Sequence, residues 1–408
     1  MENFLNSFLD TYHKYDIFVI PFTYGFVGWW TNWVALKMTF YPLKFWGIPP
    51  YLGWQGIIPR KAHKMASKAV DVITEKLLDI EEVFDRVDPV KVEQTMLPIL
   101  IESIHESTIE FANSLDKGLW DRLPQVVRDE INFKIDRQSR ECIRRVSHGL
   151  KTNIKEFFDV KALVLKNLTG PNVGLIVEMF QKVGGPEFRF IERSGFYFGF
   201  LLGLIQMVFW IFFPISWTLP LQGIIVGYLT NYLALEMIFR PLRPKVILGF
   251  SYQGLFIKRQ TEVSKSYAKI VAEKILNPRN VLDEILYGKM AEEVTQYIQQ
   301  AVREQVDSIA TIAKPAIFTF GKYDTFIDMK HKIAQNLSEK ATASSYHLED
   351  YLYSAFDLEK SMGEKMAQLT PEEFEVILRS AFQEDEWLLI LVGAVLGALV
   401  GYGQIFIL

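Results

Sequence analysis

The chain has 408 residues, of which 50% are hydrophobic, 14% aromatic and 23% charged, with a formal net charge of −4. Such a mixture fits a protein partly embedded in a membrane and partly facing water. The single cysteine, Cys142, excludes an intrachain disulfide framework or cysteine metal site, and 21 basic against 21 acidic residues across 60–190 argue against nucleic acid as a partner.

Residues 1–16 place Phe4, Leu5, Phe8 and Leu9 on helical spacing, which predicts a short amphipathic helix at a membrane interface. This acidic segment lacks the basic region and small-residue cleavage site of a signal peptide. Residues 17–36 carry no charge and are long enough to cross a hydrocarbon core of ~30 Å. Within and after them lies Gly28-Trp-Trp-Thr-Asn-Trp-Val-Ala-Leu-Lys-Met-Thr-Phe-Tyr-Pro-Leu43, and Gly227–Leu242 repeats it with nine of sixteen positions identical. Trp54-Gln55-Gly56 returns as Tyr252-Gln253-Gly254, Arg60-Lys61 as Lys258-Arg259, and Gly195, Gly199, Gly203 as Gly393, Gly397, Gly401. An offset of 199 through the first motif and 198 at every later match predicts a tandem duplication, 17–206 and 218–405.

The arms, 60–190 and 258–385, read as helix. Apolar residues recur at three and four in Met65, Ala69, Val72, Ile73 and Leu77, and again in Val126, Val127, Ile131, Phe133 and Ile135. Asp88-Pro89 and Asn277-Pro278 read as an N-cap followed by proline in the first turn. Further uncharged stretches predict spans at 196–214, 218–238 and 387–405, making four with the first. Basic residues flank the arm side of these spans, which predicts cytoplasmic arms and both termini across the membrane. Each arm is expected to be its own bundle or hairpin of amphipathic helices.

Several residues stand out as sites. The glycine ladders remove side chains from one helix face, which suits close helix packing, or a packed pair that gates something. Thr31-Asn32 and Thr230-Asn231 put polar groups in uncharged stretches, where each needs a partner. They suit a contact between the repeats, or a polar site for a headgroup or small solute. Lys37 and Glu236 occupy matching positions with opposite charge and suit a charge pair, or side chains that each reach water. Trp46, Tyr51, Trp54 and Tyr252 suit an interfacial belt or the roof of a lipid groove. Arg60, Lys61, Lys258 and Arg259 suit contacts with anionic headgroups.

Enzymology has no foothold. The chain contains no phosphate-binding glycine loop, nucleophile elbow, zinc helix or acidic metal motif, and its six histidines show no i, i+4 pair. No catalytic activity, metal or cofactor is expected.

The Gly-x-x-Thr-Asn-(Trp/Tyr)-x-Ala-Leu-x-Met-x-Phe-x-Pro-Leu pattern, followed by Gly47-Ile-Pro49 and Gln55-Gly-Ile-Ile-Pro-Arg60, resembles the YheB-type family of uncharacterised bacterial membrane proteins. The resemblance implies a bacterial cell membrane or a cyanobacterial thylakoid membrane and brings no activity with it. The second copy departs from the pattern at Gly254-Leu-Phe-Ile-Lys258. The expected fold is an all-α integral membrane protein with four spans in two parallel repeats, each with a helical arm. The expected role is a non-enzymatic scaffold or assembly factor; the alternative is binding or transfer of a lipid or other hydrophobic molecule. Its expected partners are membrane lipids, with membrane-protein partners or a second copy as further candidates. Transport is the weakest reading, since no span embeds a carboxylate or arginine to couple to. The arms discriminate these readings: a scaffold needs closed bundles with charged exteriors, whereas a lipid handler would use the gap between repeats or the apolar arm interior as a conduit, a groove that stays open and continuous with the bilayer.

Overall fold

The computed structural model describes residues 18–48, 52–213, 215–247, 249–310, 323–379 and 386–405. The amphipathic segment expected at 1–16 lies outside them. The described chain is all-α apart from two short antiparallel hairpins. The longer helices are α1 (Val19–Phe40), α2 (Ile57–Val72), α3 (Pro89–Leu115), α4 (Gln125–Thr152), α5 (Val173–Val183), α6 (Gly185–Phe212), α7 (Thr218–Phe239), α8 (Gln260–Ile270), α9 (Pro278–Tyr287), α10 (Ala291–Ala310), α11 (Tyr323–Ser344), α12 (Pro371–Arg379) and α13 (Glu386–Gln404). The hairpins are β1 (Trp46–Ile48) with β2 (Leu52–Trp54), and β3 (Lys245–Ile247) with β4 (Phe250–Tyr252).

Two compact units share the chain. One comprises 1–72, 165–270 and 362–408; the other comprises 73–164 and 271–361. The boundaries fall inside the expected arms, not between the halves. Each arm contributes a helical hairpin, and the two hairpins share one unit: α3 and α4 from one arm pack with α10 and α11 from the other. A two-helix hairpin cannot close its own apolar stripe against water, whereas two hairpins together make a four-helix core.

In the first unit α1 packs along α6 and α7 along α13, and these pairs join through α6–α7, α1–α13 and α1–α7 contacts. Three of the four helices are long and apolar enough to cross a membrane: α6, α7 and α13. Helix α1 is as long as α7 and carries the same Thr-Asn pair and one charged residue, with three tryptophans where α7 has Tyr228, Leu229 and Tyr232. The surface is inverted relative to a water-soluble bundle. Asn32, Ser194, Gln206, Thr230, Asn231 and Gln404 are buried, while Phe22, Phe26, Leu201, Ile205, Phe212, Ile225 and Leu399 are exposed.

Two loops are built alike. After α1, Trp54 Nε1 donates to the Met38 carbonyl (3.2 Å), Gln55 Nε2 to Leu43 (2.9 Å) and the Gly56 amide to Pro42 (3.0 Å). After α7, Tyr252 Oη donates to Met237 (3.0 Å), Gln253 Nε2 to Leu242 (2.9 Å) and the Gly254 amide to Pro241 (3.0 Å). The first bond of each set serves a carbonyl in the last turn of the helix, which has no partner within it, and the other two tie down the loop that follows. The α2 and α8 helices then each run into one π-helical turn, Ile73–Leu77 and Val271–Ile275.

In the second unit Asp88 caps α3 by accepting from the Val90 amide (2.9 Å), and Asn277 caps α9 by accepting from Asn280 (2.8 Å). Short helices, Ile80–Asp85, Ile154–Phe157 and Glu349–Phe356, gather with α9 where α3 and α10 begin and α4 and α11 end. Phe84 packs at a tilt against Phe356 (5.1 Å) and Phe158 (6.3 Å), closing that end. Along α4, Ile131 and Ile135 turn inward as the periodicity predicts, but Val126 is 78% and Phe133 70% exposed. The helical period admits 127, 131 and 135 to one face and leaves 126 and 133 on another.

Candidate functional site

The four-helix core of the second unit is not filled. It holds a partly open cavity of about 420 Å³, in the size range of small-molecule sites (about 300–1,000 Å³). Thirty of its 37 lining residues are apolar, running from Val92, Met96 and Leu100 to Phe111 and Leu115 along α3. A helix rises 1.5 Å per residue, so this wall extends for roughly 35 Å, the proportions of a channel for a chain rather than a pocket for a ring. Val127, Ile131, Ile143 and Leu150 of α4, Ile298, Val302 and Val306 of α10, and Ile333, Leu337 and Ala341 of α11 complete it.

The polar wall groups are few and mostly satisfied by their own helices. Thr108 Oγ1 donates to Ile104 (2.8 Å), Thr342 Oγ1 to Ser338 (3.0 Å) and Ser345 Oγ to Thr342 (2.7 Å). Lys151 Nζ donates to the carbonyls of Asp85 (2.7 Å) and Val87 (3.4 Å). Cys142 is buried at the wall, its Sγ 3.7 Å from the Ala301 carbonyl. Burial pushes its thiol up, a trend that Arg145 opposes and Glu304 adds to, so it is a poor nucleophile at neutral pH.

The α3–α4 wall is pinned by a buried carboxylate. Glu93 accepts from Arg140 Nη1 (2.7 Å) and from Arg144 Nε. Its burial favours the neutral form, but hydrogen bonds and charge from the two arginines outweigh that and hold the carboxyl below its usual range. A carboxyl depressed on folding adds stability above its unfolded value (~4.3) and loses it as pH falls through the folded value. Glu93→Gln is expected to lower stability by about 2 kcal/mol at pH 7, under the ~3–5 kcal/mol of a fully buried pair because both arginines keep water. Thermal melts across pH 3–8 check it: the difference from the native chain is constant above about pH 4.5 and closes below.

The residues singled out from sequence lie elsewhere, in the first unit. Gly195 and Gly28 meet backbone to backbone, Gly199 faces the carbonyl of Tyr24, and Gly203 faces Pro21. Gly393 meets Gly227 and Asn231, Gly397 meets Gly223, and Gly401 meets Leu219. Each ladder thus lies on the partner helix of its own half. The asparagines do not bond to each other, which corrects the inter-repeat contact. Asn32 Nδ2 donates to the Ile191 carbonyl (2.6 Å) and Asn231 Nδ2 to Leu389 (2.7 Å), while both Oδ1 atoms lack a partner. Thr31 and Thr230 donate back to Gly28 (3.2 Å) and Gly227 (3.3 Å). A short amide reaches the carbonyl that the adjoining glycine leaves accessible before it can reach across the bundle. Polar links that do join the halves within the bundle include Gln404 Nε2 to Thr23 Oγ1 (2.8 Å) and Tyr24 Oη to the Leu219 carbonyl (3.5 Å).

The Lys37–Glu236 pair is likewise not formed. Lys37 Nζ lies over the rings of Trp33 (5.9 Å) and Tyr41 (5.8 Å), and Glu236 is 4.0 Å from Arg240, each side chain finding its partner on its own strand of chain. Arg259 is not available to headgroups: it is bound to Glu187, itself 1% exposed, and donates through Nε to Glu262 (2.9 Å). Hydrogen bonds to Glu262, then Glu187, hold its guanidinium further into the charged form despite burial. Arg60 and Lys61 also have interaction partners, and for Lys258 the structure brings no site together. Trp46 is exposed on β1, as are Ile48 and Leu52 of the same hairpin, whereas Trp54 is tied to α1.

Sequence reasoning named the apolar arm interior as a conduit in its alternative reading but missed the two unpartnered polar atoms there, Ser139 Oγ and Gln305 Nε2. The signal was present: each interrupts an apolar helical period, Ile135–Ser139–Cys142 and Ile298–Val302–Gln305.

The chain is 30% identical over 175 residues to the UPF0754 membrane protein of Bacillus cereus (strain AH820), a match covering 40% of this chain and 44% of the relative. It is 29% identical over 119 residues to the UPF0754 membrane protein of Anoxybacillus flavithermus, covering 27% and 32%. It is 35% identical over 78 residues to that of a Synechococcus strain, covering 18% of each. The chain therefore spans less than half the length of the curated relatives it matches. No protein-family model matches the chain, and no solved structure does. These likenesses, with the apolar helices α6, α7 and α13, support an uncharacterised bacterial membrane protein family and a membrane location.

Proposed function

We propose that this protein is a membrane-anchored, non-enzymatic binding protein for a hydrophobic, chain-like molecule, held in the cavity of its four-helix unit. The observation that carries the reading is the long apolar cavity bounded by α3, α4, α10 and α11. A scaffold bundle would gain stability by filling that space, since unfilled volume costs roughly 24 cal/mol per Å³. The scaffold reading keeps one specific support, the exposed Val126 and Phe133 on α4.

In the same reading the chain is a tandem duplication with four spans. The paired Asn–carbonyl bonds, loop fastenings and π-helical turns support the duplication. Counting α1 as a span is supported by its backbone packing on α6 and by exposed Phe22, Phe26, Trp29 and Trp33. The basic flanks favour cytoplasmic arms, in a bacterial cell membrane or a thylakoid membrane. Membrane lipids are the proposed partners.

Native mass spectrometry of the full chain, extracted gently from its membrane, tests the reading. A lipid-like molecule is expected in fixed stoichiometry, and Ala112→Phe with Ala341→Phe, which fill the cavity from α3 and α11, is expected to cut occupancy at least about tenfold. A double variant that melts like the native chain yet keeps the same molecule would sink the proposal.

A further inference from the structure

Resting on that reading, we propose that the cavity selects a neutral long-chain molecule bearing a carbonyl oxygen, seated between Ser139 and Gln305. Ser139 is 3% exposed, and neither its Oγ nor Gln305 Nε2 has a hydrogen-bond partner, although both residues line the cavity. They sit on facing helices at one level. Gln138 Nε2 donates to Ser308 Oγ (2.6 Å) and Cys142 Sγ lies by the Ala301 carbonyl, so α4 and α10 run antiparallel with 139 and 305 inside the same register.

Both atoms can donate, and an unpartnered donor in an apolar wall is unfavourable until something accepts from it. A carbonyl oxygen, with two lone pairs, accepts from both at once; a hydrocarbon leaves both unmet. The apolar wall along α3 on either side of this level takes the chain. Charge is selected against. Among the described residues Lys151 is the one charged residue lining the cavity, and its ammonium is already held by the Asp85 and Val87 carbonyls. A carboxylate or phosphate drawn inside would have to compete with the Asp85 carboxylate, 3.6 Å from that ammonium, and an ammonium would meet no counter-charge on the wall.

The test uses the full-length protein in detergent, freed of bound lipid, with displacement of a fluorescent fatty-chain probe as the readout. Methyl oleate, a hydrocarbon of equal length and oleate at pH 8 are the three competitors. The ester is expected to displace the probe at about tenfold lower concentration than either of the others, one hydrogen-bonded group being worth that discrimination. Ser139→Ala with Gln305→Leu is expected to erase the ester's advantage and leave hydrocarbon displacement unchanged. Removing two unmet polar atoms also predicts a melting temperature no lower than the native one, so loss of fold does not explain the result. Equal displacement by ester and hydrocarbon in the native chain overturns the carbonyl site while the cavity reading stands. Preference for oleate overturns the neutrality. No displacement by any competitor, with the probe itself unbound, overturns the cavity reading beneath both.

Discussion

Gly397→Ala is expected to destabilise the first unit by about 3 kcal/mol or more, whereas Gly403→Ala, six residues on in the same helix, leaves stability within about 0.5 kcal/mol. A methyl on Gly397 would overlap the carbonyl of Gly223, while one on Gly403 meets nothing. The difference is one of what must move. An overpacked side chain finds another rotamer, but a backbone carbonyl moves only with its helix, so α7 and α13 would separate along their whole contact. In a bilayer that separation forfeits the main attraction between the helices, because lipid tails solvate an apolar face as well as a neighbour does. Alanine is otherwise the better helix former, by about 1 kcal/mol per residue, so propensity works against the predicted direction and makes the test sharper. Thermal unfolding in mild detergent, with size-exclusion profiles, reads the outcome. Equal melting of the two variants would show that the ladder does not hold the pair.

Arg259→Met is expected to cost roughly 3–5 kcal/mol, because it strands the carboxylate of Glu187 in a buried site. The reverse truncation, Glu187→Leu, is expected to cost less. Arg259 keeps Glu262 and some water, so it is not left alone. Replacing both by Leu and Met is expected to recover most of the loss, since two apolar side chains owe nothing to desolvation. A double-mutant cycle on melting temperature measures the coupling. Additive losses would mean that the pair contributes as two surface charges do, and the basic residue would return to the headgroup role that its sequence position suggests.

Much of this molecule was legible in its residues. Uncharged stretches long enough to span, an Asp-Pro and an Asn-Pro start, and apolar residues at three and four all report local chemistry. The helix bonds its own backbone, caps serve its own end, and a stripe faces one way whatever lies opposite. The all-α class follows from such features, as does the placement of α3 and α9 behind Asp88 and Asn277. The partner of each group was not legible in the same way. Arg259 reads from sequence as a basic residue beside a membrane; folding places the carboxylate of Glu187 against it, 72 residues away. Asn32 and Asn231 read as mates because they share a motif, yet each reaches the nearest bare carbonyl on its own helix pair.

The cavity shows the limit most plainly. Val92, Met96 and Leu100 form the same stripe whether the space they face is full or empty. Sequence by itself determined which residues turn away from water, since that choice is made one helix at a time by transfer free energy. Only the tertiary structure decided how closely four such stripes approach. That distance depends on side-chain volumes from segments more than 200 residues apart, and here it leaves room along the core for a guest.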